Sequence, residues 1–335
     1  MESVALPTFT IPTFKCGPLI LTFDDISEIL GSKPRIVQVG IGELERSQHL
    51  IDLGVNWLFS PAGWPVMASA YNPGIPEPEQ TFQYESDSKR MQVANGTARA
   101  AKTYVELLAS AKRMVQPSVS IVSLPCEEDA NTETAAEVEK PVGKDSGKSK
   151  VKRKIARRNQ SFTDSLLALS QIEWDNVSVV LPLIGSQQPL ENVSEVKSVI
   201  GFTSRVERLA GAPEGLRFAQ IRNVGSPEAI LESIKAALGA KSDVMETDFP
   251  FFAAKNGLLL NENLELENMK DPAMFHNNDL LMNVEAKSML VIQAGLHTKS
   301  YIHHLFRCEE LSGPILLATV NLFQFERMFQ TYRNI

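Results

Sequence analysis

Three carboxylates, Asp243, Glu246 and Asp248, fall between Lys241 and Pro250 of this 335-residue chain. Carboxylates as a type can act as covalent nucleophiles or move protons. The plainer reading of the trio is a solvated turn after a strand. His303 and His304 are the other concentration of reactive side chains. Adjacent helical residues point about 100° apart, so the two rings are ill placed to chelate one metal. One buried, hydrogen-bonded ring and one surface ring is the expectation. The basic run from Lys144 to Arg158 is suited to binding phosphates, with Lys152, Arg153, Lys154, Arg157 and Arg158 as the candidates for nucleic-acid contact. Its plainer reading is a solvated linker that balances the acidic stretch before it. His49 and His276 are isolated, and no G-x-S-x-G, P-loop or EF-hand pattern occurs.

Composition narrows the classes further. A net charge of −7 argues against a protein that is basic all over, though not against a local basic patch. Cys16, Cys126 and Cys308 are far apart and odd in number, which suggests neither a disulfide framework nor a metal cluster and fits a reducing compartment. The first residues lack a charged region followed by an apolar run, so no signal peptide is expected. No window approaches twenty uninterrupted apolar residues, so no membrane-spanning helix is expected.

The elements that must position these residues alternate between strand and helix. Residues 4–22 read as short strands broken at Pro7, Pro12, Gly17 and Pro18, then a helix opened by Asp24 and Asp25. Residues 35–39 read as a strand, 43–53 as a helix, 57–59 as a strand and 60–78 as a loop. Residues 97–115 form an amphipathic helix, and 119–122 a strand. From 126 to 150 large apolar residues almost vanish, and acidic then basic side chains take over. Such a composition does not offset the entropy of ordering, so a disordered surface insertion is expected. Strands then follow at 177–183, 199–202 and 216–221, with helices around 162–169 and 190–197 and a helical turn at 207–209. Ser226 is placed to cap a further helix with Pro227 in its first turn and Ile230, Ile234 and Leu238 facing inward. Helical spacing marks the stretch from His297 to Leu322. Repeated strand–helix units imply a parallel sheet with crossover helices, and their number fits a (β/α)8 TIM-type barrel. An open doubly wound sheet is the alternative, weakened by the absence of G-x-G-x-x-G after the first strand.

The stretch Thr298-Lys-Ser-Tyr-Ile-His-His-Leu305 resembles the T/S-R-A-Y-L/I-H-H-L motif of the queuine tRNA-ribosyltransferase (tRNA-guanine transglycosylase) family, and most closely its eukaryotic accessory-subunit branch. The resemblance implies a single barrel domain over 1–335, with a zinc-knuckle and C-terminal helix region at 286–335. In the family that knuckle binds zinc through three cysteines and a histidine. Those positions fall here on Met289, Val291, Ala294 and Val320, none of which ligates Zn2+, so a degenerate, zinc-free knuckle is expected and no cofactor is implied. If the backbone path is retained, the four side chains should form a small dry apolar cluster.

Family chemistry exchanges guanine for a deazaguanine in a tRNA anticodon, through a carboxylate nucleophile in a segment like G-V-D-x-F-D-x-x-x-P. That position falls on Glu246, one methylene longer than the family's aspartate. The D-S-G-G-F-Q motif that should supply the second carboxylate is missing; Asp145-Ser146-Gly147 is only a fragment in the charged insertion. The resemblance therefore implies a noncatalytic, cytoplasmic accessory subunit. It would form a heterodimer with the catalytic subunit, support queuine insertion into G-U-N tRNAs, and associate peripherally with the mitochondrial outer membrane. Two alternatives remain: a divergent enzyme using Glu246, and a stand-alone tRNA- or protein-binding barrel.

Overall fold

The computed structural model describes residues 4–14, 17–18, 20–31, 34–40, 64–69, 80–85, 90–95, 121–123, 178–182, 199–204, 206–209, 214–221, 225–283 and 285–333. The expected helices at 43–53, 97–115, 162–169 and 190–197, the strand at 57–59 and the charged insertion at 126–150 lie outside the described residues. The architecture is α/β and TIM-like, built on a curled parallel sheet. Strand β1 (Thr8–Phe14) makes a short antiparallel pair with β2 (Gly17–Pro18) and a parallel one with β3 (Ile36–Gly40). Parallel pairing then runs through β4 (Val66–Ser69), β7 (Ile121–Ser123), β8 (Ser178–Pro182), β9 (Val199–Ser204), β10 (Leu216–Gln220) and β11 (Val244–Glu246). β11 pairs in turn with β1, Val244 opposite Thr8, so the curled sheet meets itself.

Two antiparallel pairs stand apart from this sheet, β5 (Gln80–Glu85) with β6 (Arg90–Asn95) and β12 (Leu258–Leu260) with β13 (Leu266–Asn268). Neither hairpin was expected. β4 is a correction, since it lies inside the Pro- and Gly-rich stretch expected to be loop. Four residues carry little propensity of their own, and pairing to β3 and β7 on either side makes this segment a strand.

Period-two alternation sorts each strand between two cores. Ile36, Met67, Val180, Phe218 and Val244 form a small apolar layer inside the curl, together with Val4. Their chain neighbours Val37, Val66, Ala219 and Met245 join the larger core shared with the helices. β9 and β10 approach so closely that a Cβ on Gly201 would lie 2.1 Å from the Leu216 carbonyl oxygen, so only glycine fits there.

The helices begin where their capping chemistry says they should. Thr22 and Asp25 form a reciprocal capping box at α1 (Phe23–Leu30). After the short α2 (Val206–Leu209), Ser226 accepts from the Ala229 amide at the start of α3 (Pro227–Gly239), whose Ile230, Ile234 and Leu238 are buried as their spacing predicts. α4 (Phe249–Lys255) follows β11 directly. The C-terminal region holds α5 (Met289–Gly295), α6 (Lys299–Arg307), capped by Thr298, and α7 (Ser312–Arg333), which continues past Leu322.

α7 holds much of the molecule together. Phe325 and Phe329 pack against Phe9 of β1 with ring centroids 4.9 and 5.1 Å apart. Asn321, fully buried, accepts from the Leu260 amide at 2.7 Å and donates to the Leu258 carbonyl at 2.9 Å, fixing β12 to the helix. Glu326 sits between Arg35 at 2.8 Å and Arg333 at 2.7 Å, and Arg333 also donates to the Pro7 carbonyl at 2.8 Å. Burial pulls the Arg35 pKa below its ordinary value, opposed by the charge and hydrogen bond of Glu326. Among the described residues no helix is long and apolar enough to cross a membrane.

Candidate functional site

Two residues beyond the apolar layer, at the C-terminal ends of the strands, the inside of the curl turns polar. Thr10, Gln38, Ser69, Thr203, Gln220 and Glu246 are all buried there. This is the end of a TIM-like sheet where reactive residues gather, because the loops that follow the strands complete the site. Glu246 is the hub. Gln38 Nε2 donates to its Oε2 at 2.9 Å and Ser69 Oγ to the same oxygen at 3.3 Å, while Thr203 Oγ1 donates to Oε1 at 3.1 Å. Thr10 Oγ1 donates to Gln38 Oε1 at 2.7 Å, which fixes the amide with its NH2 toward the carboxylate. Donors from β3, β4 and β9 thus converge on one side chain of β11.

The solvated-turn reading of Asp243, Glu246 and Asp248 is overturned. Glu246 is 0% exposed, Thr247 1% and Asp248 7%. Asp243 is half-buried, and its Oδ2 accepts from the Arg217 amide at 2.8 Å. The cause is the parallel pairing of β11 between β1 and β10, which draws its end into the curl instead of leaving it in solvent. Chemically, the Glu246 carboxylate is held rather than presented. A nucleophile must come within about 3–3.5 Å of the carbon that it attacks, aligned for displacement. Here three donors engage the two carboxylate oxygens, and the side chain is 0% exposed.

Gln220, next to Glu246 in register, is 4% exposed, and neither atom of its amide has a hydrogen-bond partner among the described residues. A buried, unpaired polar group costs about 1–3 kcal/mol. Apart from Glu246, the polar layer is not evident from the sequence. Its signal is a single glutamine inside each of two apolar strand runs, Gln38 in 36–40 and Gln220 in 216–220.

The four family metal positions separate. Val291, Ala294 and Val320 are buried in the main core, on α5 and α7, which pack together. Met289 is 60% exposed and stays out of the expected dry cluster. It opens α5 just after the N-cap Ser288, whose neighbourhood is fixed by Glu28 of α1: Glu28 Oε1 accepts from Ser288 Oγ at 3.0 Å and from the Leu290 amide at 3.1 Å. His303 is buried with Nδ1 2.9 Å from the Met269 carbonyl oxygen, and His304 is exposed, as their adjacency predicts. Lys152, Arg153, Lys154, Arg157 and Arg158, and the fragment Asp145-Ser146-Gly147, lie outside the described residues.

Exposed apolar side chains concentrate in one stretch. Met289, Ile292, Leu296, Tyr301 and Leu311 all lie in or beside α5 and α6, and Phe275 is the one other large exposed hydrophobic among the described residues. Met289, Ile292 and Leu296 follow i, i+3, i+7 spacing, so they share one face. Tyr301 stacks on His297 with centroids 4.9 Å apart.

Comparison with known proteins converges on the same part of the chain. Residues 215–335 match the family model described as queuine tRNA-ribosyltransferase. A queuine tRNA-ribosyltransferase-like protein of Plasmodium falciparum is 29% identical over 141 residues, covering 34% of this chain and 56% of that relative. Queuine tRNA-ribosyltransferase accessory subunit 2 of Drosophila mojavensis is 30% identical over 112 residues, covering 32% of this chain and 26% of its own length. The Drosophila melanogaster accessory subunit 2 is 28% identical over 116 residues, with the same two shares. The chain thus spans little more than half of the first of these relatives and about a quarter of the others. From the close pairing of β10 and β11 to the end of α7, within residues 215–335, this chain is similar in sequence to the queuine tRNA-ribosyltransferase family.

Proposed function

We propose that this chain is a noncatalytic accessory subunit of a queuine tRNA-ribosyltransferase. In this reading it forms a heterodimer with a catalytic subunit and supports exchange of guanine for queuine in the anticodon of G-U-N tRNAs. The sheet is completed as a full (β/α)8 barrel, and the family's knuckle positions Met289, Val291, Ala294 and Val320 hold no zinc. The observation that carries the reading is Glu246: at the nucleophile position, it is 0% exposed and hydrogen-bonded to Gln38, Ser69 and Thr203. It serves as the centre of a polar packing layer rather than as a reactive group. The exposed apolar face of α5 and α6 supports subunit docking, since contiguous apolar surface on a folded domain marks interaction sites. Lys152, Arg153, Lys154, Arg157 and Arg158 are the residues proposed to touch tRNA phosphates. The site of action is the cytoplasm, with peripheral docking on the mitochondrial outer membrane.

The test is co-expression with a catalytic subunit, followed by sizing and a labelled-guanine exchange assay. A heterodimer should form, and Glu246→Gln should leave its exchange rate nearly intact. A drop of about 100-fold or more would identify Glu246 as a working nucleophile and establish the divergent-enzyme alternative. Failure to co-purify, with retained tRNA or protein binding by the chain alone, would leave the stand-alone barrel.

A further inference from the structure

Away from the strand ends, the exposed side of α6 (Lys299–Arg307) closes with a histidine and a cysteine one helical turn apart. Cys308, at the C-cap, is a free, exposed thiol. Its Sγ lies 3.8 Å from His304 Nδ1 and 3.7 Å from His304 Nε2. Residues at i and i+4 share a helix face, so the proximity follows from backbone geometry. A tetrahedral Zn2+ with Zn–S of about 2.3 Å and Zn–N of about 2.1 Å spans about 3.6 Å between its two ligand atoms. The observed separations therefore match the bite of one metal ion. A sulfur near-equidistant from both ring nitrogens lies in line with neither lone pair, so the ring must turn to present one of them. The ring is exposed, and rotation about χ2 brings either nitrogen lone pair round without moving the backbone.

The surroundings favour a cation. The end of a helix carries the negative end of its dipole, and the exposed carboxylates of Glu309 and Glu310 follow directly in the chain. Arg307, also exposed, is the opposing charge on the same turn.

We propose that His304 and Cys308 form a two-ligand site for a soft divalent cation such as Zn2+. The site is separate from positions 289, 291, 294 and 320. Its remaining coordination positions face outward, where water fills them. On binding, the Cys308 thiol loses its proton to solvent and the thiolate bonds the metal, with neutral imidazole as the second ligand, so affinity rises with pH. The face that carries the exposed Tyr301 and Leu311 would thereby carry a metal beside its apolar side chains. This inference does not depend on the proposed accessory role.

The probe is Co2+, titrated into the full chain in anaerobic, thiol-free buffer and read by its thiolate-to-cobalt charge-transfer absorption, with Zn2+ as competitor. A band that saturates at one metal per chain and is removed by Zn2+ is expected. Cys308→Ser should abolish it, and His304→Ala should weaken binding by at least about tenfold. Both residues are exposed, so the variants should keep the parent's thermal unfolding transition. Absence of the band overturns the proposal. A band that survives Cys308→Ser comes from Cys16 or Cys126 and overturns it too. Unchanged affinity in His304→Ala shows a lone thiolate rather than a two-ligand site, and the proposal then falls as well.

Discussion

A single buried amide shows how much one side chain organises here. Asn321 satisfies the Leu260 amide and the Leu258 carbonyl, and lies 3.4 Å from the Pro250 carbonyl oxygen as well. Those backbone groups are buried and have no water to turn to. Asn321→Ala should therefore destabilise the fold by about 2–4 kcal/mol, since it strands several polar groups and leaves a void. Urea unfolding monitored by fluorescence measures this, and a loss below about 0.5 kcal/mol, the scale of a neutral surface change, would refute it. This residue is visible in the sequence only as one polar position in an apolar helix. Glu246 is identifiable by its place after an apolar strand, but its environment is not. The side chains that clasp it come from positions up to 208 residues away, and such convergence leaves no local pattern. Gln38 and Gln220 are detectable only as polar interruptions of apolar runs, which propensity treats as noise.

Among elements, legibility follows local chemistry. α3 can be placed from Ser226, Pro227 and its apolar spacing, because cap and periodicity agree. β4 and the hairpin of β5 and β6 cannot. The first is short and defined by its neighbours, and the second offers only Phe82 and Tyr84 at period-two spacing in a six-residue run beside a Pro- and Gly-rich stretch. Three of the four positions expected to correspond to metal ligands fall in the α5–α7 packing. Val291, Ala294 and Val320 are each at most 2% exposed and share the core, so burial is available to do part of the work of a metal. Full burial of a valine contributes roughly 1.5–3 kcal/mol. Val320→Asp should cost about 3 kcal/mol or more, since the carboxylate must enter an apolar core or expel the helix from it. In the Cys308→Ser chain, which lacks the proposed His304–Cys308 site, chelation should leave the melting temperature unchanged. A Val320→Asp protein as stable as the parent would end this account, and so would melting of the Cys308→Ser chain that shifts on chelation.

For the molecule as a whole, the parallel order is legible from strand and helix alternation, while the particular pairing of β1 with β11 is not, because it joins residues more than 230 apart in the chain. The C-terminal helix reinforces the same junction through Glu326, Arg35, Arg333 and the Pro7 carbonyl. Arg35 is 1% exposed, so removing it alone strips a buried carboxylate of one partner. The charged stretch at 126–150 makes a separate forecast. Its composition cannot supply core packing, so its deletion should leave the melting temperature nearly unchanged. A drop of several degrees in differential scanning calorimetry would show that it packs on the domain.

The contact between the first strand and the eleventh also sets a clock on synthesis. Thr8 and Phe9 emerge long before their partners Val244 and Met245. At about 5–20 residues per second, the interval is roughly 10–50 s. Throughout it, the nascent chain presents one edge of β1 unpaired, with Gln38 open to water before Glu246 exists. An edge that waits so long invites pairing with another nascent chain. Growth of this protein on the ribosome should therefore depend on chaperone occupancy far more than refolding of the finished chain, in which both edges are present from the start.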